Sequence, residues 1–265
     1  MLSKVVETPC RIPIEGGSVE LEAVLVRANP RDDRLSQTFA VVAHPWPALG
    51  GTMRDRVVTR IAVALIARGI TTLVYDSRGT GSSTGRASWT GEAERRDYGA
   101  VVEWLVTTET KSRAVSADRI KLFCCGYSFG ALAASVYAPS PDLLDQLQKS
   151  RPGATLTVRH ILISPPVGMT AMFLVPFKFS SYTSATKRII EADSGDETET
   201  EPKVLLAYGD RDQFSSTSDY QRYFDKIAGS IENDRLTVVV VEGGNHFFSS
   251  EEHIRALRDA VDAWI

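Results

Sequence analysis

Six short apolar runs, separated by segments with a helical repeat, constrain the fold more than any other feature of this sequence. Each run is too short for a helix, is rich in β-branched or aromatic residues and is nearly continuous in hydrophobicity, which is typical of a strand covered on both faces. The runs are residues 39–44, 70–76, 120–126, 160–166, 203–209 and 236–244. Strands that alternate with helices predict a mostly parallel sheet with helices on both faces.

The segments between the runs and the amino-terminal region complete this prediction. Three segments, residues 53–69, 91–106 and 250–265, place their apolar residues on one helical face. Residues 5–14 and 18–28 form two further strand patterns joined at Gly16-Gly17, a dipeptide suited to a tight hairpin. We therefore expect an α/β fold of about eight strands with an antiparallel amino-terminal hairpin, formed by a single domain over residues 1–265.

Composition and charge argue against several classes of protein. Thirty basic and 33 acidic residues give a net charge of −3, and no basic run is long enough to neutralise several phosphates, so we expect no nucleic-acid partner. The sequence shows no signal peptide at its start and no stretch of 18 apolar residues. These features, with three cysteines that suit a reducing compartment, predict a cytoplasmic protein without a membrane partner.

No metal or organic cofactor is expected either. The four histidines and three cysteines show no spacing typical of a metal site. Residues 78–85, "RGTGSSTG", lack the lysine of a phosphate-binding loop and do not open a helix directly. We interpret this glycine-rich stretch as a structural turn.

The candidate nucleophile is Ser128, within the pentapeptide Gly-Tyr-Ser-Phe-Gly at residues 126–130. Such a pentapeptide occurs by chance in roughly one chain in ten of this length, so its context matters. Ser128 directly follows a predicted buried strand and directly precedes a helix, and this tight turn exposes the serine side chain at the edge of the sheet. Gly126 and Gly130 are expected where neighbouring chains come too close for a Cβ atom.

A base and an acid follow Ser128 in the sequence. His246 lies just after the last predicted strand, at the sheet edge where Ser128 emerges, and is the best candidate base. His160, expected at the amino end of a strand, and His253, expected on the outward face of the last helix, are weaker candidates. Asp210 and Asp212 both follow the preceding strand, and the residues alone leave open which of them is the acid.

Several segments together resemble the α/β-hydrolase superfamily, and within it a small serine-hydrolase subgroup related to dienelactone hydrolases. The segments are residues 44–58, 76–85, 126–131, 163–167, 209–212 and 243–248. The resemblance implies a catalytic triad in the order nucleophile, acid, base, and its Gly-x-x-Asp pattern assigns the acid to Asp212. Trp46 stands where a second histidine is usual, which bears on the choice of substrate.

The oxyanion hole requires two N–H donors aimed at the developing negative charge. One is expected from Phe129, directly after the nucleophile. The other is expected from the His-Pro-Trp-Pro tetrapeptide after the first parallel strand, where Trp46 is the candidate because Pro45 and Pro47 have no N–H. The resemblance implies the same position, and His44 is expected to brace this loop.

The predicted function is a serine esterase or thioesterase that acts through an acyl-enzyme. We interpret residues 165–190 as a cap and residues 191–202 as a mobile acidic loop. The predicted pocket favours a hydrophobic or polyketide-like acyl chain, which a carrier protein or CoA can carry, and contains Met169, Met172, Phe173 and Phe177. The alternatives are transfer of the acyl group to an alcohol or closure of a lactone, and ligand binding without catalysis.

Overall fold

The structure, a computed structural model, contains one eight-stranded sheet flanked by helices. It describes residues 5–28, 38–88, 90–112, 119–168, 179–191, 203–228 and 235–265. The strands are β1 (Val5–Ile14), β2 (Val19–Ala28), β3 (Thr38–Ala43), β4 (Thr71–Tyr75), β5 (Arg119–Tyr127), β6 (Thr155–Ile163), β7 (Val204–Gly209) and β8 (Leu236–Val241). The helices are α1 (Arg56–Ala67), α2 (Glu92–Ser112), α3 (Phe129–Ser135), α4 (Pro141–Ser150), α5 (Phe179–Glu191), α6 (Thr217–Ala228) and α7 (Glu251–Trp264).

The order of the strands confirms the predicted fold class. The sheet runs β1-β2-β4-β3-β5-β6-β7-β8, with parallel pairing from β4 through β8. β1 pairs with β2, and β2 with β4, in antiparallel fashion. The hairpin turn contains Gly16 and Gly17 at φ angles of 68° and 90°, a region that glycine enters without steric cost.

The register of the parallel strands brings their carboxyl ends to one edge of the sheet. Ala43 at the end of β3 lies opposite Gly126 near the end of β5, and Gly209 at the end of β7 lies opposite Val241 at the end of β8. The loops that follow these four strands therefore meet at the same edge. Ligands of open α/β sheets bind at this carboxyl edge.

Two hydrophobic cores cover the two faces of the sheet. The adjacent residues Cys124 and Cys125 are buried in different cores, because successive side chains of a strand point to opposite faces. Helices α1 and α7 pack on the Cys125 side, whereas α2, α3, α4 and α6 pack on the Cys124 side. The residues predicted to form the apolar faces of α1 and α2 are all buried. They are Val58, Ile61, Leu65, Tyr98, Val101, Val102 and Leu105.

Only part of the segment that we interpret as a cap belongs to the described residues. Helix α5 lies inside the interval 165–190 except for its last residue, and its Tyr182 packs against Phe129 and Leu132 of α3. Met169, Met172, Phe173 and Phe177 lie outside the described residues, as do residues 192–202 of the predicted acidic loop. The cap and the acidic loop stay predictions. No described helix is both long and apolar enough to cross a membrane.

Strand β6 begins earlier than predicted, and this corrects the position of His160. The strand starts at Thr155 rather than at residue 160. The prediction missed its first half because these residues are only partly buried and lack the continuous apolar run on which the prediction relied. His160 therefore lies in the strand interior, not at its amino end. Its ring is buried, and its Nδ1 lies 3.0 Å from the carbonyl oxygen of Ala134 on α3.

The burial of His160 predicts a pH dependence of stability. Burial lowers the pKa of His160 to about 4, whereas an unfolded chain has a histidine pKa of about 6.5. Between these values the unfolded state binds the additional proton, so stability falls as the pH decreases from 6.5 towards 4. We expect His160 to reduce the free energy of unfolding by about 2 kcal/mol between pH 7 and pH 5.

Urea unfolding at several pH values tests this expectation. In His160→Asn, whose side-chain amide can still donate to Ala134, the decrease in stability between pH 7 and pH 5 should be smaller than in the wild type. The same decrease in both proteins would contradict the assignment of this pH dependence to His160.

Candidate active site

Ser128 occupies a strained turn between β5 and α3. Its φ of 54° and ψ of −120° are unfavourable for a residue with a side chain, and such strain persists only where the surrounding structure enforces it. The backbone N–H of Ser128 donates to Ile163 O at 2.8 Å, which ties the turn to the end of β6. The local path is the strand, sharp turn and helix that presents a nucleophile at the sheet edge.

Close packing explains the two glycines of the pentapeptide. A Cβ atom on Gly126 would overlap the carbonyl group of Gly130. A Cβ atom on Gly130 would lie 2.5 Å from the carbonyl oxygens of both Ala43 and His44. The first turn of α3 can therefore lie directly over β5 and against the end of β3 only with glycine at these positions.

Ser128, His246 and Asp212 form one chain of hydrogen bonds. His246 Nε2 lies 2.9 Å from Ser128 Oγ, and His246 Nδ1 lies 2.7 Å from Asp212 Oδ2. All three residues are buried. Since a carboxylate only accepts hydrogen bonds, Nδ1 carries a proton, and in the neutral imidazole the lone pair of Nε2 then faces the serine hydroxyl. This is the arrangement that activates a serine nucleophile.

The two aspartates after β7 have different partners. The second oxygen of Asp212, Oδ1, accepts hydrogen bonds from the backbone N–H groups of Phe214 and Ser215 at 2.8 and 3.1 Å. Asp210 Oδ1 instead accepts from the N–H of Gly243 at 2.7 Å and braces the turn after β8. The geometry thus places Asp212, and not Asp210, against His246. His253 lies on α7, and its backbone N–H is capped by Ser250.

Four neighbours of His246 were not identified from the sequence. Tyr127 Oη donates to the carbonyl oxygen of His246 at 2.9 Å, and the backbone N–H of His246 donates to Gln213 Oε1 at 3.0 Å. The rings of Phe214 and Phe247 contact the imidazole edge to face, with centroids 4.6 and 5.5 Å away. Only their position in the sequence could have indicated them, since each lies within two residues of Ser128, Asp212 or His246.

Phe129 and Trp46 carry backbone N–H groups at the carboxyl edge near Ser128. Phe129 is the first residue of α3, where an N–H has no partner within the helix. Trp46 lies at the start of the short 3₁₀ turn Pro47–Leu49, and its carbonyl oxygen accepts from Leu49 and Gly51. The Trp46 side chain packs against the cluster that contains Phe129 and Tyr182. One N–H group thus belongs to the start of α3 and the other to the loop after β3.

His44 is held within the loop that carries Trp46. Its Nε2 accepts from the backbone N–H of Ser77 at 2.9 Å, so its proton is on Nδ1, which donates to Pro45 O at 2.6 Å. Burial lowers the pKa of the His44 imidazole, which favours this neutral form. His44 therefore links the loop after β3 to the loop after β4.

The glycine-rich stretch at residues 78–85 also connects structural elements. Arg78 pairs with the buried carboxylate of Asp97 on α2 and with Glu15 in the hairpin turn. Burial raises the pKa of Asp97, and the Arg78 guanidinium opposes this shift. Several backbone N–H groups of the stretch donate to acceptors within the protein: Gly79 to Thr84 O, Ser82 to Glu22 Oε2 and Thr84 to Glu20 O.

A mostly apolar cleft opens beside Ser128 and His246. Its described lining is Pro45, Trp46, Leu49, Gly50, Gly51, Asp55, Tyr127, Ser128, Pro166, Phe214, His246 and Phe247. Asp55 is the only carboxylate in this lining, and no lysine or arginine belongs to it among the residues that the structure describes. Oδ1 of Asp55 caps α1 by accepting from Val57 and Val58 at 2.7 and 3.4 Å.

A mostly parallel sheet with this strained serine and its Ser-His-Asp chain defines the class of α/β serine hydrolases. Residues 17–152 match the model of the X-Pro dipeptidyl-peptidase (S15 family), and the chain belongs to this family. The matched region includes Ser128, Phe129 and Trp46 but ends before Asp212 and His246. The predicted resemblance to the α/β-hydrolase superfamily is confirmed, and the protein is a hydrolase.

Individual proteins are similar to this chain in sequence or in fold. An uncharacterised protein of Rickettsia prowazekii is 26% identical over 224 residues, which cover 83% of this chain and 77% of the relative. The structure of an alpha-beta serine hydrolase homologue from Coxiella burnetii is 25% identical, with a TM-score of 0.65 and coverage of 97% of this chain and 96% of the other. The Pyrococcus furiosus esterase PF2001 shares the fold at 17% identity, with a TM-score of 0.66 and coverage of 98% and 90%.

Proposed function

We propose that this protein cleaves carboxylic esters or thioesters through an acyl-enzyme formed on Ser128. The observation that carries the proposal is the chain of hydrogen bonds from Ser128 through His246 to Asp212, formed at a strained turn beside an open cleft. An ordinary buried serine needs neither a strained backbone nor an imidazole nitrogen directed at its hydroxyl.

The proposed reaction has two halves. His246 Nε2 takes the proton of Ser128 as Oγ attacks the carbonyl carbon, and then donates it to the leaving alcohol or thiol. Water, deprotonated by the same nitrogen, next attacks the acyl carbon. The bond from this carbon to Ser128 Oγ breaks, Oγ takes the proton back from Nε2, and the acid is released. Asp212 keeps the Nδ1 proton in place, and the N–H groups of Phe129 and Trp46 stabilise the oxyanion.

The cleft supports an uncharged, apolar acyl group. Its aromatic and aliphatic lining would bury such a group, and the carboxylate of Asp55, without a cationic partner in the described lining, disfavours an anionic acyl group. We propose that Met169, Met172, Phe173 and Phe177 extend this surface. The fold shared with a named esterase is compatible with an ester substrate.

Labelling with a fluorophosphonate tests the mechanism. The wild-type protein should form an adduct that peptide mass spectrometry assigns to Ser128, whereas Ser128→Ala should form none. An unlabelled wild type, or equal labelling of both proteins, would show that Ser128 is not the nucleophile. The alternative function, ligand binding without catalysis, also predicts that the wild-type protein is not labelled.

A substrate panel tests the substrate class. We expect p-nitrophenyl esters and acyl-CoA thioesters with medium acyl chains to be cleaved with higher kcat/KM than an X-Pro p-nitroanilide or an ester with an anionic acyl group. A thioester with a distant hydroxyl should give the linear acid, and a lactone product would favour ring closure. Preferred cleavage of the X-Pro anilide would overturn the ester proposal and assign Asp55 to recognition of a peptide amine.

A further inference from the structure

Both polar groups of the His246 main chain are bound by side chains. The carbonyl oxygen accepts from Tyr127 Oη at 2.9 Å, and the N–H donates to Gln213 Oε1 at 3.0 Å. His246 lies in the irregular loop between β8 and α7, where no ladder of sheet hydrogen bonds fixes its backbone. Two side chains, one from the last residue of β5 and one from the loop after β7, supply the support that a strand would otherwise give.

The positions of these two side chains relate them to the triad. Tyr127 directly precedes Ser128, and Gln213 directly follows Asp212. Each partner of the His246 imidazole therefore lies next to a residue that binds the His246 main chain. The loop of the nucleophile and the loop of the acid both contact His246 twice, once at the ring and once at the backbone.

We propose that Tyr127 and Gln213 are positioning residues that hold the His246 backbone so that its ring can move a proton between Ser128 and the substrate. The inference rests on the proposed function. Proton transfer requires Nε2 within hydrogen-bond reach of Oγ, and a displacement of about 1 Å can lower a rate about 100-fold. A backbone fixed at both polar groups limits the rotation and translation that would separate these atoms.

The surroundings of Tyr127 fit this role. The side chain is buried and its ring centroid lies 5.5 Å from that of His246, so the phenol has little freedom to move. Burial raises the pKa of Tyr127, which keeps the hydroxyl protonated and able to donate. Its hydroxyl donates to a carbonyl oxygen, rather than to the imidazole or the serine, which indicates a role in positioning and not in proton transfer.

The first test removes only the hydroxyl of Tyr127. We expect Tyr127→Phe to lower kcat about 10- to 100-fold while KM changes less than about twofold. The matched control is Tyr98→Phe, because Tyr98 is equally buried and its hydroxyl also donates to a backbone carbonyl, that of Val41, away from the cleft. A purely structural role would give both variants the same kcat at similar losses of thermal stability, and that result would overturn the inference.

The second test uses the exposed side chain of Gln213, whose replacement should not disturb folding. Gln213→Met has similar size but no acceptor and should lower kcat about tenfold. Gln213→Glu keeps an acceptor and should retain kcat within about threefold, while its charge moves the acidic limb of the kcat/KM profile to higher pH. Equal activity of the methionine variant and the wild type would contradict the role of Gln213.

Fluorophosphonate labelling separates failure of this inference from failure of the proposed function. Absence of labelling at Ser128 in the wild-type protein would refute the proposed function itself. A labelled wild type together with Tyr127→Phe and Gln213→Met variants that react at the wild-type rate would leave the function in place and overturn only the positioning role.

Discussion

Replacement of Ser128 by alanine is expected to lower kcat/KM for the best ester of the panel by about 10⁵- to 10⁶-fold. The variant keeps the cleft and the expected oxyanion donors but loses the atom that forms the acyl-enzyme. Only the residual catalysis of these donors and of substrate binding should remain. Steady-state kinetics with p-nitrophenyl esters, corrected for spontaneous hydrolysis, measure this loss.

Ser135→Ala is the matched control for this variant. Ser135 is also buried and lies on the helix that begins after Ser128, but its Oγ donates to Leu132 O within α3. We expect its kcat/KM to stay within about threefold of the wild type, since removal of such a hydrogen bond within a helix costs little. A Ser128→Ala protein that retained a tenth of the wild-type activity would refute the acyl-enzyme mechanism.

Asp212→Asn is expected to lower kcat by about 10³- to 10⁴-fold. In the wild type, Oδ1 of Asp212 accepts from Phe214 and Ser215, and Oδ2 accepts from His246. The single oxygen of asparagine would satisfy the two backbone donors, so its NH₂ group would face His246 Nδ1. Nδ1 would then accept, the imidazole proton would move to Nε2, and the base would lose the lone pair that faces Ser128.

Asp210→Asn provides the comparison for the acid. Within the described part of the chain, the side chain of Asp210 accepts one hydrogen bond, from the N–H of Gly243 through Oδ1, and asparagine keeps an oxygen for this bond. We expect a decrease in kcat below about threefold, measured with the same ester at the same pH. If Asp210→Asn lost more activity than Asp212→Asn, the acid would be assigned to the wrong aspartate.

The sequence was most informative where a rule of local structure applied. Continuous apolar runs identified the parallel strands, and Gly16-Gly17 identified the hairpin, because both features depend on neighbouring residues alone. The position of Ser128 between a buried strand and a helix likewise followed from local pattern. The strand β6 was misjudged at its start because its first residues are only partly buried and lack a continuous run.

Contacts between residues far apart in the chain could not be predicted from the sequence. Asp210 and Asp212 follow the same strand, and only the resemblance to a family separated them, since the direction of each side chain depends on the turn that the structure shows. The bond from Tyr127 to His246 joins residues 119 positions apart. No local rule relates them, because their proximity results from the order of β5, β6, β7 and β8 in the sheet.

The base, His246, follows a strand at the edge of the sheet, and this has a consequence for inactivation by heat. Ser128 follows β5, which pairs with β3 and β6, whereas His246 follows β8, which within the described part of the chain pairs only with β7. An edge strand opens locally at a lower free energy than a central strand. Fraying of β8 would separate the base from the serine while the rest of the sheet stays folded, so catalysis should fail at a lower temperature than the fold.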